Sequence, residues 1–136
     1  MTLQELVRAT AQRLRKAPLH YGHGTSNARD EAAFLVLRGL GLPFEAPADR
    51  PVTDRERARV RGLLERRVVE RIPVPYLLHE AWLADTPFYV DRRAVIPRSH
   101  IAELLQARLR PWLRHPVKRA LDLCTGTGCL AVLTAI

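Results

Sequence analysis

Apolar residues recur every three or four positions along the first half of the chain, which is the spacing of a buried helix face. Three such stretches carry helix signals: a capping box at Thr2–Glu5, an apolar run over 28–42 that closes at Gly41, and a second capping box at Thr53–Glu56. The first helix is expected to end near Pro18. Together these signals predict a small three-helix bundle with the nearly apolar second helix at its centre.

The helical period stops at Pro73 and Pro75, and a different pattern follows. Aromatic and β-branched residues then occur in short runs around turn residues, which is typical of a β-hairpin. This pattern predicts strands near 80–84 and 87–96.

After the hairpin, Ser99 is placed to cap a further helix, whose apolar residues keep the 3.6-residue period as far as Leu113. An apolar strand at 119–124, a glycine turn at 125–128 and about two turns of a helix follow. A strand that runs through a glycine turn into a helix usually opens a nucleotide-binding sheet.

The chain is strongly basic, with 22 Lys and Arg against 14 Asp and Glu and a net charge of +8. All of the basic residues except Lys16 and Lys118 are arginine. Such a surface favours acidic partners such as RNA or a ribosomal particle. The alternative is a solvated basic face in a protein from an arginine-rich proteome.

The two cysteines, Cys124 and Cys129, lie five positions apart in the glycine turn and the helix after it, and they cannot build a disulfide framework. A reduced, intracellular setting follows. No segment approaches the roughly 20 apolar residues that a bilayer-spanning helix needs, and the first helix is amphipathic, unlike a signal peptide. We therefore expect a soluble, cytoplasmic protein without membrane association.

Two pairs of side chains raise the question of a metal site: His20 with His23, and Cys124 with Cys129. Neither H-x-x-H nor C-x4-C alone matches a common zinc frame. The histidines are expected to pack or hydrogen-bond within their loop, and no metal is expected.

The turn at 125–128 suits a ligand that approaches the backbone closely, because Gly126 and Gly128 permit tight geometry and the following helix presents free N–H groups. Gly126-x-Gly128-x-x-Ala131 also satisfies a loose dinucleotide fingerprint. Asp122 argues against a pyrophosphate, since two negative groups would repel. Beside the ammonium and sulfonium of S-adenosylmethionine, the same carboxylate is favourable by ~1–4 kcal/mol at about 4 Å. The simpler alternative is that the glycines only end the strand.

Four motifs along the chain resemble those of one protein family. Asp122–Cys129 is similar to the first motif of class I methyltransferases, and more closely to that of the glutamine methyltransferases that modify release factors and a ribosomal protein. Arg71–Leu77, Phe88–Asp91 and Val95–Ser99 resemble that family's exit from the helical domain, its hairpin and its linker, in order and spacing. The resemblance extends over essentially the whole chain.

Two stretches are similar to the branch of this family that methylates a glutamine in the third protein of the large ribosomal subunit. They are Tyr21–Asn27 and Pro97–Ser99, where the release-factor branch typically has Pro-Arg-Pro. Cys124 stands where most methyltransferases have their first glycine, and His100 replaces an expected proline. Release factors stay open as the alternative substrate class.

The resemblance implies an α+β fragment of four segments. Residues 1–72 would form an N-terminal helical substrate-recognition domain, 73–99 a β-hairpin linker and 100–116 a linker helix. Residues 117–136 would be the first strand and helix start of a truncated class I, Rossmann-like methyltransferase domain. A lone parallel strand lacks the neighbours that satisfy its backbone, so this last segment is expected to be weakly ordered or recruited into other contacts.

The implied reaction is methyl transfer from S-adenosylmethionine to the side-chain amide nitrogen, N5, of a glutamine in a large-subunit ribosomal protein, in the neighbourhood of ribosomal RNA. The implied cofactor-binding residues are Asp122, Cys124, Thr125, Gly126, Thr127 and Gly128. Arg98 and Ser99 would line the substrate side, and a surface ion pair is the alternative for Arg98.

The family's Asn-Pro-Pro-Tyr, which grips the substrate amide, and its acidic residue that holds the ribose are expected beyond Ile136. No catalytic residue is therefore assigned to this chain, and its own affinity for the cofactor is expected to be weak or absent. The rival hypothesis is a basic helical module that binds ribosomes or RNA without catalysis.

Overall fold

The structure, a computed structural model, describes all 136 residues. Its elements are α1 (Leu3–Arg15), α2 (Ala28–Gly39), α3 (Asp54–Val68), α4 (Val74–Leu78), β1 (Ala81–Leu83), β2 (Thr86–Phe88), α5 (Ile101–Gln106) and α6 (Cys129–Ala135). They fall into two compact units, Met1–Leu78 and His79–Ile136. The chain is thus a mixed α/β fragment, in which helices accompany one small antiparallel sheet.

The first unit is the predicted helical bundle. Its central helix is α2, which packs against α1, α3 and α4 and is buried on almost every side. Gly39 lets α3 approach closely, because a Cβ at this position would lie 2.8 Å from Leu63 Cδ1. Gly41 terminates the helix as predicted, because it follows the C-cap residue Leu40 and has a φ of +70°, which is favourable only for residues such as glycine. The bundle and the central place of its second helix are confirmed.

Both predicted capping boxes are present. The N–H of Glu5 donates to Thr2 Oγ1 over 3.3 Å, and the N–H of Thr2 donates to Glu5 Oε2 over 2.8 Å. At the start of α3, the N–H of Glu56 donates to Thr53 Oγ1 over 3.2 Å, and the N–H of Thr53 donates to Glu56 Oε2 over 2.9 Å. Arg50 also reaches Glu56 Oε1 over 2.6 Å. Glu56 therefore joins the start of α3 to the loop before it.

Substituting Glu56 by glutamine should flatten the acid dependence of stability. The Arg50 guanidinium, helped by the Thr53 N–H and hydroxyl, lowers the pKa of Glu56 to about 2. Because the pKa of Glu56 is lower in the folded state than its ordinary value of 4.5, the ionised carboxylate stabilises the fold fully at pH values above 4.5. This contribution to the free energy of unfolding is lost as the pH falls through about 2. Urea unfolding between these pH values should show the loss in the wild type and in Glu65→Gln, which removes an exposed glutamate from the same helix. An equal loss in Glu56→Gln would contradict this origin.

A buried ion pair that the sequence did not reveal joins α2 to α3. Arg67 Nε donates to Glu31 Oε1 over 2.7 Å, and the two side chains are only 4% and 2% exposed. Arg67 Nη2 donates to Glu31 Oε2 over 3.3 Å and to the carbonyl oxygen of His20 over 3.1 Å. The Thr25 hydroxyl lies 3.5 Å from Glu31 Oε2. The pair therefore also fixes the loop between α1 and α2.

The same loop is held at a second point by Tyr21. Its hydroxyl donates to the carbonyl oxygen of Leu14 over 3.2 Å. Partial burial and, secondarily, the nearby charge of Glu31 raise the pKa of Tyr21. The segment between the helices is thus held to the bundle at His20, Tyr21 and Thr25.

The proline stretch corrects one expectation, because Pro73 and Pro75 do not end helical structure. Residues Val74–Leu78 form the short helix α4, in which Pro75 lies in the first turn. A first-turn N–H has no intrahelical acceptor, so proline costs little there. Val74 and Leu77 are buried in the first unit.

The second unit begins with the predicted hairpin. β1 and β2 pair antiparallel, with Ala81 opposite Phe88 and Leu83 opposite Thr86. The two residues of the turn have φ of +51° and +58°, as in the mirror-image turns that suit tight hairpins. The second strand is shorter than the predicted 87–96, because it ends at Phe88 and irregular backbone follows.

The linker helix is also shorter than the predicted 100–116. α5 ends at Gln106, where the N–H of Arg108 donates to Leu105 O over 2.8 Å and that of Leu109 donates to Leu104 O over 2.7 Å. These bonds form a Schellman termination, and residues 108 and 109 have positive φ. The helix end that the apolar period predicted, at or beyond Leu113, is therefore wrong. The N-cap residue of α5 is His100 rather than the predicted Ser99, although the N–H of Ile101 donates to Ser99 Oγ over 3.1 Å.

The predicted strand at 119–124 is not formed, and its backbone is irregular. Leu121 and Leu123 are 82% and 76% exposed. A parallel strand needs neighbouring strands for its backbone and cover for its apolar face, and this chain supplies neither. The helix after the glycine turn is present as α6 and packs against α5.

None of the helices combines the length and the apolar character required to cross a bilayer.

Candidate cofactor-binding turn

The glycine turn has left-handed backbone at three positions. Cys124, Gly126 and Gly128 have φ of +59°, +55° and +76°, and the N–H of Gly128 donates to Thr125 O over 2.8 Å. A Cβ on either glycine would meet no atom within 4 Å, so the reason for glycine is the backbone conformation. For Cys124 the same conformation costs about 1–2 kcal/mol. This explains in physical terms why a glycine would be favoured at that position.

Two buried oxygen atoms beside the turn lack hydrogen-bond partners. They are Asp122 Oδ2 and Thr127 Oγ1. Asp122 also lines a hollow of about 400 Å³ together with Lys118, Arg119 and Thr134, although neither basic side chain bonds to its Oδ2. Buried polar atoms in proteins are nearly always paired. The turn therefore presents a carboxylate and a hydroxyl whose bonding capacity is unused.

These features fit the methionine end of S-adenosylmethionine. Its ammonium would supply N–H donors and a positive charge to Asp122, and the hydroxyl of Thr127 can donate or accept. The left-handed glycines leave the space above the backbone open. A pyrophosphate would instead place negative charge near the Asp122 carboxylate, which is unfavourable. The unpaired oxygens of Asp122 and Thr127 thus favour the cationic ligand, whereas Lys118 and Arg119 on the hollow beside Asp122 carry charge of the same sign as that ligand.

The other predicted site residues present no unpaired buried side-chain atom at the turn. The Cys124 thiol is exposed, and the Thr125 carbonyl is used within the turn. Arg98 is exposed and forms no salt bridge, so the ion-pair alternative is not seen. Ser99 is engaged at the start of α5. No hydrogen bond joins Arg98 or Ser99 to the turn, and their place on the substrate side stays a prediction.

Three residues on the hollow were not identified from the sequence. The sequence pattern places Arg119 at the start of the predicted strand and Thr134 in the last helix, and it assigns Lys118 to neither. The Thr134 hydroxyl donates to Leu130 O over 2.7 Å, so it is already satisfied. Position could have identified all three, because Lys118 precedes the predicted strand, Arg119 begins it, and Thr134 lies about one helical turn beyond Ala131.

No group of three or more His, Cys, Asp or Glu side chains lies close enough together to hold a metal ion. Cys124 and Cys129 are both free thiols, the second of them buried.

Comparison with known proteins gives strong matches over almost the whole chain. A protein of Bordetella pertussis is 52% identical over 140 residues, which cover 99% of this chain and 47% of that protein. One of Neisseria meningitidis serogroup B is 48% identical, covering 98% and 46%. One of Burkholderia pseudomallei is 45% identical, covering 99% and 46%. All three are named ribosomal protein uL3 glutamine methyltransferase, and the resemblance inferred from the motifs is confirmed.

The chain spans about half the length of these curated relatives. No protein-family model matches it.

Proposed function

We propose that this chain, a homologue of the uL3 glutamine methyltransferases over about half of their length, is part of an S-adenosylmethionine-dependent protein methyltransferase. Its substrate is the side-chain amide nitrogen of a glutamine in a large-subunit ribosomal protein, and its location is the cytoplasm, where ribosomes assemble. The observation that carries the proposal is the turn at 122–128, where Asp122 Oδ2 and Thr127 Oγ1 are buried without partners beside left-handed glycines.

In this proposal the chain holds the methionine end of the cofactor. Asp122 accepts hydrogen bonds from the ammonium, and the backbone from Thr125 to Gly128 contacts the ligand closely. The cofactor, when bound, supplies an activated methyl group. Thr127 adds one hydrogen bond that the protein itself leaves unused.

The reaction demands precise positioning. An amide nitrogen is a weak nucleophile because its lone pair is delocalised, so the enzyme must hold it in line with the methyl group and bind its N–H groups in the geometry of attack. No residue of this chain is assigned that role. We assign to residues 1–72 the recognition of the protein substrate, to 73–99 and 100–116 the connecting segments, and to 117–136 the start of the catalytic domain.

The exposure of Leu121 and Leu123 supports the proposal that further chain completes the domain. Two large apolar side chains on one irregular segment are unfavourable in water by about 1.5–3 kcal/mol each relative to burial. Neighbouring strands would cover them and would pair with the backbone of 119–124.

A chimera tests the proposal directly. Residues 1–136 replace the matched residues of the Bordetella pertussis relative, and transfer of a labelled methyl group to purified uL3 is measured by scintillation counting and mass spectrometry. We expect the mass of one methyl group to be added on a glutamine, at a rate within about tenfold of the unmodified relative. A release factor serves as the second substrate and should stay unlabelled.

Two results would contradict the proposal. One is a folded chimera that does not methylate uL3 under conditions in which the parent relative from Bordetella pertussis does. The other is methylation of the release factor in preference to uL3, which would move the chain to the alternative substrate class.

A further inference from the structure

A groove lies on the surface beside α1 and the start of α2. It consists of two adjoining hollows of about 630 Å³ and 390 Å³, and Arg15 and Arg29 line both of them. Arg8 lines the smaller hollow, and Tyr21 lines the larger. The groove lies wholly within the first unit and shares no lining residue with the glycine turn.

The groove is strongly basic. Arg8, Arg15 and Arg29 are exposed, form no salt bridge, and share their two hollows with no Asp or Glu side chain. Arg8 and Arg15 are seven positions apart on α1, so they project from one face of the helix about 10.5 Å apart along its axis. A row of unpaired guanidinium groups fits a ligand that carries negative charge repeatedly along its length.

We propose that this α1–α2 groove binds the sugar-phosphate backbone of RNA. Guanidinium groups bind phosphate through paired N–H donors, which makes arginine better suited than lysine to this contact. The ring of Tyr21, held in place through its hydroxyl bond to Leu14 O, gives the larger hollow an aromatic wall on which a base can stack. The choice of RNA over an acidic protein rests on the proposed function, because a ribosomal-protein substrate brings ribosomal RNA with it.

The test compares two triple variants of the full 136-residue chain with the same change of charge. The groove variant loses the three positive charges of the groove through Arg8→Gln, Arg15→Gln and Arg29→Gln. The α3 variant loses three exposed arginines of α3 through Arg55→Gln, Arg59→Gln and Arg61→Gln. Binding of a short fluorescent single-stranded RNA is followed by anisotropy at several salt concentrations. The groove variant should bind at least tenfold more weakly, and the slope of log K against log salt should fall by about 2, since each phosphate contact contributes about 0.7. The α3 variant should lose less than threefold.

Equal losses in both variants would overturn the inference, because they would mean that the net charge alone attracts RNA. Displacement of the RNA by polyglutamate at an equal concentration of charges would also overturn it in favour of an acidic protein partner. Methylation of RNA-free uL3 by the chimera is scored separately. If the chimera does not methylate uL3 but RNA binding depends on the groove arginines, only the proposed function is contradicted. If the chimera methylates uL3 but the groove variant binds RNA as tightly as the wild type, only this inference is contradicted.

Discussion

Replacing Arg67 by methionine should lower the free energy of unfolding by about 3–5 kcal/mol, because it leaves the Glu31 carboxylate buried without its partner. Glu31 is 2% exposed, and Arg67 supplies two of its hydrogen bonds. A loss of that size is a large part of the roughly 5–15 kcal/mol that stabilises an ordinary domain. Urea unfolding followed by circular dichroism at neutral pH measures it.

The neighbouring residue provides a matched control. Arg66 forms an exposed pair with Glu70 at 3.7 Å, so Arg66→Met should cost less than about 1 kcal/mol. A double variant, Glu31→Leu with Arg67→Met, should regain most of the stability, since replacing both partners of a buried pair by apolar residues is often close to neutral. If Arg67→Met were no more harmful than Arg66→Met, the buried pair would not be what holds α2 to α3.

The ion pair between Glu31 and Arg67 could not be predicted from the sequence, whereas other features of the bundle could. The capping boxes at Thr2 and Thr53 were predictable because each joins residues three positions apart. The burial of α2 was predictable because its sequence is a nearly unbroken apolar run. Glu31 and Arg67 are 36 positions apart, and in a chain with so many arginines nothing local distinguishes Arg67 from its neighbours. Contacts of that kind depend on how the helices pack.

The errors in the second unit have a related cause. The apolar period beyond Gln106 was taken for a helix, and the run at 119–124 for a strand, although both patterns specify an element only when a partner surface covers it. Trp112 and Leu121 remain 66% and 82% exposed. The glycine turn, by contrast, keeps its left-handed backbone without any neighbour, because glycine itself permits that conformation. In the second unit, the features that a local pattern determines were therefore predictable, and those that need a further covering surface were not.

Replacing Asp122 by asparagine should weaken the binding of S-adenosylmethionine by the chimera, measured by calorimetry. The substitution keeps the shape of the side chain and removes its charge, so the attraction to the ammonium is lost. That attraction is worth ~1–4 kcal/mol, which corresponds to a rise in Kd of roughly fivefold to several hundredfold. Asp85→Asn, in the exposed hairpin turn, is the matched control and should leave the Kd unchanged, since asparagine tolerates the left-handed φ of that residue. The unfused chain should bind the cofactor more weakly than micromolar.

The sign of the change distinguishes the two kinds of ligand that the glycine turn could hold. A cation loses affinity when the carboxylate of Asp122 is neutralised, whereas a pyrophosphate gains it, because a repulsion of the same size is removed. Titrating NAD into the same pair of variants therefore completes the experiment. Tighter NAD binding by Asp122→Asn, with S-adenosylmethionine unaffected, would assign the turn to a dinucleotide. Weaker S-adenosylmethionine binding would place the unpaired Oδ2 of Asp122 opposite the ammonium of the methyl donor.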